Sequence, residues 1–193
     1  MKRLILGSKS PRRYEILKNA GFDFEVFETD CEEKTDFGQS FPEIVKSIAK
    51  QKNDAVLKLN LGDAIVLTAD TMVVLENRII GKPKDETEAA EFLRRLSGNT
   101  HTVLTGFCIT DIKSGKRVSD YEESKVKFIS LSEDDIAEYI KTGEPMDKAG
   151  AYGIQNRGSL FVERIEGDYF NIVGLPICKV GQLLKKDFGY FDL

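Results

Sequence analysis

Hydrophobic and polar positions along the chain follow the period of a strand in some segments and that of a helix in others. The apolar run 3–6 predicts a short strand, and the stripe after it predicts a helix that begins at Pro11 and is terminated by Gly21. An almost continuous apolar run over 64–69 predicts a strand that is buried on both faces and ends in Asp70. This alternation predicts a single mixed α/β domain that spans residues 1–193.

The remaining segments continue the alternation. We predict strands over 24–27, 71–75, 78–80, 102–111 and 117–129, and helical segments over 41–59, 86–96, 132–142 and 177–188. Ser40 and Glu43 have the spacing of a capping box at the start of the first of these helices. The segment 160–173 predicts a hairpin that turns at 166–168, and the segment 143–158 is glycine-rich without a clear period.

The composition is that of an ordinary globular protein, with 41% hydrophobic and 31% charged residues and a net charge of −4. No apolar run is long enough for a membrane helix or a secretory signal, so we expect a cytoplasmic protein with no membrane partner. No basic stripe with interleaved aromatic residues is present, which argues against a nucleic-acid partner. Three distant cysteines and a single histidine make a zinc site improbable, so any metal would be a hard ion bound by carboxylates.

The segment 7–13, between the first strand and the first helix, is a candidate phosphate site. Small residues allow a ligand to approach the backbone, the helix start offers free N–H groups, and the hydroxyls of Ser8 and Ser10 lie beside them. Arg12 and Arg13 add positive charge in the first turn, where it opposes the helix dipole. The alternative is a capped helix with solvated basic residues.

Asp70 and Thr71 follow a buried strand, and ligands of open α/β sheets lie beyond the carboxyl ends of strands. Asp70 is therefore a candidate metal ligand or general base, with a plain turn residue as the alternative. Glu33, in the acidic pair 32–33, could supply a second carboxylate. Lys52 and Lys82 are further candidate cations, although a lone lysine is more often simply solvated.

The glycine-rich segment is a third candidate, because long loops within a compact domain are often functional. It offers Lys148 for a phosphate, Tyr152 for stacking and Gln155 as a paired donor and acceptor. His101 has no serine or cysteine arrangement that would make it a catalytic base, so we expect it to make a structural hydrogen bond.

Taken together, these segments resemble the Maf family of nucleoside triphosphate pyrophosphatases over nearly the whole chain. Residues 8–13 resemble the family's opening S-x-S-P-R-R signature. The other matching positions follow in the family's order and are Glu33, Lys52, 69–71, 81–83, 97–101, 143–155, 167–169 and 173–176.

The resemblance implies a fold similar to that of inosine triphosphate pyrophosphatases, with an elongated mixed sheet, flanking helices and two lobes around a cleft. It implies hydrolysis of a nucleoside triphosphate between the α and β phosphates, a divalent metal cofactor (Mg²⁺ or Mn²⁺), and a homodimer. On this basis the catalytic and metal-binding residues are Asp70 and Glu33, and the phosphate-binding residues are Ser8, Arg12, Arg13, Lys52 and Lys82.

Within the family, Arg12, Thr71 and Gln155 resemble the branch that acts on dTTP and UTP. Two alternatives remain at this point. One is the branch that acts on 7-methyl-GTP, against which Thr71 and Gln155 argue. The other is a nucleotide-binding regulator of cell division, against which the retained carboxylates argue, since a sensor would not need to activate water.

Overall fold

The structure is a computed structural model that describes residues 2–28 and 30–190. In this part of the chain the strands are β1 (Arg3–Leu6), β2 (Glu25–Val26), β3 (Ala64–Leu75), β4 (Arg78–Ile80), β5 (Thr100–Asp111), β6 (Arg117–Phe128) and β7 (Val162–Glu166). The α-helices are α1 (Pro11–Asn19), α2 (Phe41–Leu57), α3 (Glu86–Leu96), α4 (Glu133–Ile140), α5 (Tyr169–Val173) and α6 (Ile177–Phe188). None of these helices has the length and apolar character needed to cross a membrane.

The seven strands form one mixed sheet in the order β2-β1-β3-β5-β6-β7, with β4 paired to β3. The β1 strand is parallel to both neighbours and pairs with the first residues of β3, from Arg3 opposite Ala64 to Leu6 opposite Leu67. The strands β4 and β7 are antiparallel to β3 and β6, respectively. The predicted mixed α/β class is confirmed.

The chain divides into two compact units that are each assembled from separate segments. The first unit contains the described residues of 1–70, 105–122 and 174–193, and the second contains 71–104 and 123–173. The three long strands β3, β5 and β6 each contribute residues to both units. Whether the whole chain acts as a single domain stays a prediction.

In the first unit, helix α2 packs very closely on strand β5. A Cβ atom added at Gly106 would lie 2.5 Å from the carbonyl carbon and oxygen of Val45. The buried Asn53 amide of α2 donates to the carbonyl oxygens of Val66 and Cys108, and its oxygen accepts from the Thr110 hydroxyl. These contacts fix the helix that carries Lys52, because a buried polar side chain with all its partners has only one favourable position.

In the second unit, aromatic rings form the centre of the core. Phe128 lies edge-on to His101, Tyr152 and Phe161, with centroid distances of 5.0, 4.7 and 6.0 Å. His101 Nε2 lies 2.7 Å from the Tyr152 hydroxyl, so the predicted structural hydrogen bond is confirmed. Burial lowers the pKa of His101 to about 4, which keeps the ring neutral at neutral pH.

Most predicted elements are present, but several boundaries differ. The predicted strand 24–27 contains only the two residues of β2, and α2 ends at Leu57 instead of residue 59. The predicted capping box is wrong, because the Ser40 side chain makes no cap hydrogen bond. The Glu43 carboxylate instead pairs with the ammonium of Lys46, one helical turn further along, at 2.6 Å.

The predicted hairpin over 160–173 is also wrong. Strand β7 pairs with β6, and residues Tyr169–Val173 form helix α5. The Asp168 carboxylate accepts a hydrogen bond from the Phe170 N–H at 2.7 Å, which starts the helical turn. The Ser124 hydroxyl donates to the Asp168 carbonyl oxygen at 2.9 Å and ties this turn to β6.

Candidate active site

The turn between β1 and α1 brings hydroxyl and guanidinium groups together in the first unit. The Ser10 side chain caps α1 by accepting from the Arg13 N–H, as predicted. The Ser8 hydroxyl accepts from the Ser10 N–H at 3.1 Å and from Arg13 Nη1 at 3.3 Å. Arg13 Nε donates to the Gly174 carbonyl oxygen at 2.9 Å. The guanidinium of Arg13 is therefore held against the helix start.

Lys52 joins the two predicted carboxylates. Its Nζ atom lies 2.6 Å from Asp70 Oδ1 and 2.9 Å from Glu33 Oε1. The Asp70 side chain is 16% exposed and that of Lys52 22%, so this ion pair is shielded more than a typical surface pair. Glu33, Lys52 and Asp70 are far apart in the sequence and come together only in the fold.

Asp70 does not end its strand, in contrast to the sequence prediction. Strand β3 continues to Leu75, and Asp70 and Thr71 are the only half-buried positions within its otherwise buried run. The neighbouring strand β1 does end here: its last pair joins Leu6 to Leu67, and the chain then turns away at Gly7. Asp70 is therefore accessible because its neighbour stops, and not because its own strand does.

The charges in this part of the first unit act on one another. Burial lowers the pKa of Arg13, and the charge of Asp70 opposes that shift. The like charge of Arg12 lowers the same pKa further, whereas Glu33 raises it. Arg13 thus lies close enough to both carboxylates to interact with their charges, and Arg12 is the neighbouring residue on α1.

The donor chemistry of this cluster fits a divalent metal ion. Mg²⁺ is usually bound in nucleotide-processing sites by one or two carboxylates together with phosphate oxygens of the substrate. Glu33 and Asp70 are such a pair, with Lys52 already holding one oxygen of each. No group of three or more His, Cys, Asp or Glu side chains suited to a metal occurs within 2–28 and 30–190.

Three predicted site residues lie in the second unit. Thr71 is half-buried in β3, whereas Lys82 and Gln155 are exposed. The Gly150 N–H donates to the Gly81 carbonyl oxygen at 3.0 Å, which places the segment before Lys82 beside the glycine-rich segment. Predicted site residues are therefore present in both units.

The suggestion that Tyr152 stacks on a ligand is wrong. Tyr152 is buried against Phe128 and His101, so its ring is not available to stack on a ligand. The Lys148 ammonium donates to the Glu144 carbonyl oxygen and to the Asp147 carboxylate, both at 2.7 Å. Its side chain is 12% exposed, and a phosphate contact by Lys148 stays a prediction.

Glu144, which has no role predicted from the sequence, lies at the base of this segment. Its carboxylate accepts from the Tyr139 hydroxyl and from the backbone N–H groups of Arg157 and Gly158. The only sequence signal was its position within a glycine-rich stretch, which does not reveal a partner fourteen residues away.

Fold and site together define a mixed α/β protein with a shielded cluster of carboxylates and cations beside a capped helix start, an arrangement suited to phosphate-containing ligands. The chain belongs to the Maf family, since the family model described as Maf-like protein matches residues 3–187.

The chain is also similar to individual relatives and to a solved structure. It is 53% identical over 188 residues to the dTTP/UTP pyrophosphatase of Alkaliphilus oremlandii, and the match covers 97% of each chain. It is 50% identical to the dTTP/UTP pyrophosphatase of Clostridioides difficile, over 96% of this chain and 95% of that relative. The Staphylococcus aureus Ham1 protein structure aligns with a TM-score of 0.48 and 16% identity, covering 66% of this chain and 72% of that one. That likeness is too distant to carry an argument.

Proposed function

We propose that this protein is a nucleoside triphosphate pyrophosphatase that hydrolyses dTTP and UTP to the monophosphate and pyrophosphate. The observation that carries the proposal is the cluster in which Lys52 bridges Glu33 and Asp70 beside two arginines. Relatives of 50–53% identity over nearly the whole chain bear the name dTTP/UTP pyrophosphatase, which supports the same nucleotides.

In this proposal Asp70 orients the attacking water and accepts its proton. A carboxylate can do so because its two oxygens accept hydrogen bonds, and Asp70 Oδ2 is not the atom that Lys52 contacts in the structure. The water oxygen forms a bond to phosphorus, the bond between the α and β phosphates breaks, and pyrophosphate leaves. Glu33 supports Asp70 by sharing Lys52 with it.

The cations hold the triphosphate and offset the charge that develops on its oxygens. Arg12, Arg13 and Lys52 provide positive charge in the first unit, where the Ser8 hydroxyl adds a neutral donor. Lys82 is proposed, on the family resemblance, as a further phosphate contact. Cations that the fold already holds in position are effective here, because they need not reorganise when the phosphoryl charge shifts.

We also propose that a divalent cation, Mg²⁺ or Mn²⁺, binds to Glu33 and Asp70 and neutralises the triphosphate when bound. The pair of carboxylates supports this assignment. A homodimer is proposed on the family resemblance alone, and a cytoplasmic location on the hydrophobic pattern of the sequence.

A nucleotide panel tests the reaction. With Mg²⁺ or Mn²⁺, the protein is expected to convert dTTP and UTP to monophosphate and pyrophosphate faster than CTP or GTP. Pyrophosphate and orthophosphate are measured separately, with and without chelator. Orthophosphate with a diphosphate product would contradict the cleavage position, and hydrolysis of none of the nucleotides would favour a nucleotide-binding regulator. A preference for 7-methyl-GTP would point to the other branch of the family.

Base choice is proposed to depend on Gln155, with Thr71 and Arg12 as further determinants. Thymine and uracil present an N3–H donor between two carbonyl acceptors, and a primary amide can both donate and accept. Gln155→Glu leaves an acceptor facing an acceptor, which should cost about 1–3 kcal/mol, or roughly 5- to 150-fold in kcat/KM for dTTP and UTP.

The matched control is Gln182→Glu, since Gln182 is an exposed glutamine of α6 in the first unit. It makes the same charge change and should leave both kcat/KM and the nucleotide ranking unaltered. If Gln155→Glu behaves like this control, then Gln155 does not contact the base.

A further inference from the structure

Residues 153–158 form a small loop that is closed at its base, and we call it the Gln155 loop. Its two ends touch: a Cβ atom added at Gly158 would lie 2.5 Å from the Gly153 carbonyl oxygen. Gln155 lies between them and is exposed. A loop of this kind holds its central residues in place only if its base is held, because every free backbone torsion adds conformational entropy.

Two side chains from outside the loop hold this base. The Tyr139 hydroxyl accepts from the Gly153 N–H at 3.1 Å and donates to Glu144 Oε1 at 2.9 Å. The Glu144 carboxylate accepts from the Arg157 N–H at 3.2 Å and the Gly158 N–H at 3.4 Å. Both ends of the loop are therefore bonded to one Tyr–Glu pair.

The pair itself is well supported. The Tyr139 ring is buried and packs edge-on against Phe161 at 4.9 Å. Burial raises the pKa of Tyr139, and the carboxylate beside it raises that pKa further, so the hydroxyl keeps the proton it donates. The side chain of Lys148 packs against Gly153, since a Cβ atom added at Gly153 would lie 2.7 Å from Lys148 Cε.

We propose that Glu144, acting with Tyr139, is a positioning residue for nucleotide selection: it fixes the loop that presents Gln155 to the pyrimidine base. The inference rests on the proposed function. It adds that discrimination depends on a carboxylate that touches neither substrate nor metal. The donor and acceptor atoms of an amide discriminate between nucleotide bases only when both are held within a few tenths of an ångström. Loosening the closed end of the Gln155 loop should therefore weaken nucleotide discrimination.

Glu144→Gln is the informative substitution because it keeps size and shape. An amide has one acceptor oxygen and a donor NH₂ group, so one of the N–H or O–H groups now bonded to Glu144 would face another donor. Glu138→Gln is the matched control: it makes the same change on α4 next to Tyr139, where Glu138 pairs with Lys141 on the surface and acts on Arg157 of the loop through its charge alone. Tyr139→Phe removes the hydroxyl alone and tests the same pair if Glu144→Gln fails to fold.

The first measurement is hydrogen exchange of the loop amides in the protein without nucleotide. Glu144→Gln and Tyr139→Phe should speed exchange in 153–158, whereas Glu138→Gln should not. The second is kcat and KM for dTTP and GTP. The ratio of kcat/KM for dTTP over GTP should fall roughly ten-fold, mainly through a higher KM for dTTP. The third is the same substitution in a Gln155→Ala background, where it should have no further effect on that ratio.

Each outcome of these measurements either supports or overturns the inference. Faster exchange with a lower ratio that disappears in the Gln155→Ala background supports the inference. Unchanged exchange, an unchanged ratio, or an equal loss on all nucleotides overturns it, because Glu144 then either does not hold the loop or has only a structural role. If the wild-type protein hydrolyses none of the nucleotides, the proposed function has failed and the inference falls with it. An active wild type with an ineffective Glu144→Gln contradicts the inference alone.

Discussion

Asp70→Asn is expected to lower kcat for dTTP by roughly 100-fold or more while the protein stays folded. The amide has almost the same size as the carboxylate, but it cannot accept a proton from water, and it is a far weaker ligand for a divalent ion. The substitution also removes one of the two carboxylates that pair with Lys52, so the ammonium would remain paired with Glu33 alone. Steady-state hydrolysis with pyrophosphate detection gives the rate, and thermal unfolding confirms the fold.

Asp63→Asn is the control for this substitution. Asp63 lies in the same unit, and its side chain is 47% exposed and 3.7 Å from Lys113. The same loss of charge there should leave kcat within about two-fold, because exposed ion pairs contribute little. Near-normal turnover of Asp70→Asn would remove Asp70 from the chemistry and leave it as a partner that holds Lys52.

Gly106→Ala is expected to destabilise the protein by about 3 kcal/mol or more, through a steric conflict with the backbone of α2. The added methyl carbon would lie 2.5 Å from the Val45 carbonyl group and 2.7 Å from the Lys46 backbone nitrogen. These are backbone atoms of α2, so the helix itself must move. For a chain of this size the melting temperature should fall by about 6–12 °C in calorimetry.

Gly181→Ala makes the same chemical change where there is room for it. Gly181 lies within α6, and an added Cβ atom would lie 3.9 Å from the Phe22 ring, an ordinary contact. Because alanine favours a helix over glycine by about 1 kcal/mol, the melting temperature should rise by about 2–4 °C. Equal melting temperatures for the two variants would show that α2 and β5 do not approach as closely as described.

The sequence was sufficient wherever local signals determine the structure. Pro11 and Gly21 bracket α1, and Gly21 adopts a positive φ of 81° just after the helix. Glu76 and Asn77 form the predicted turn between β3 and β4, both with positive φ. In these cases the residues that define the element also determine its ends.

Local signals were insufficient where a distant strand decides the outcome. The apolar residues of 169–173 fit a strand, but β7 takes β6 as its partner, and the segment folds as a helix. Similarly, the polar residues Asp70 and Thr71 suggest the end of a strand. Pairing with neighbouring strands of the sheet extends β3 beyond these two residues. The hydrophobic period of a few residues does not show with which distant strand a segment pairs, and that pairing decides the structure here.

The candidate site shows the same division. The residue types were predictable, because carboxylates, cations and hydroxyls are what phosphate chemistry requires. Their grouping was not, since a lone lysine on a helix is usually solvated and only the fold brings Lys52 between Glu33 and Asp70. Glu144 is the extreme case, because two of its three partners are backbone N–H groups, which no side-chain pattern can mark.

The separate segments of the first unit have a consequence for how the protein is made. Helix α6 supplies the buried Val180 and Leu184 to that unit, yet the ribosome synthesises it after every residue of the second unit. A nascent chain that stops before Gly174 would contain Glu33, Lys52 and Asp70 but not the last part of the core that supports them, nor the carbonyl group that holds Arg13. The cluster of Glu33, Lys52 and Asp70 should therefore mature only late in translation, after the second unit has emerged, although its residues are among the first to leave the ribosome.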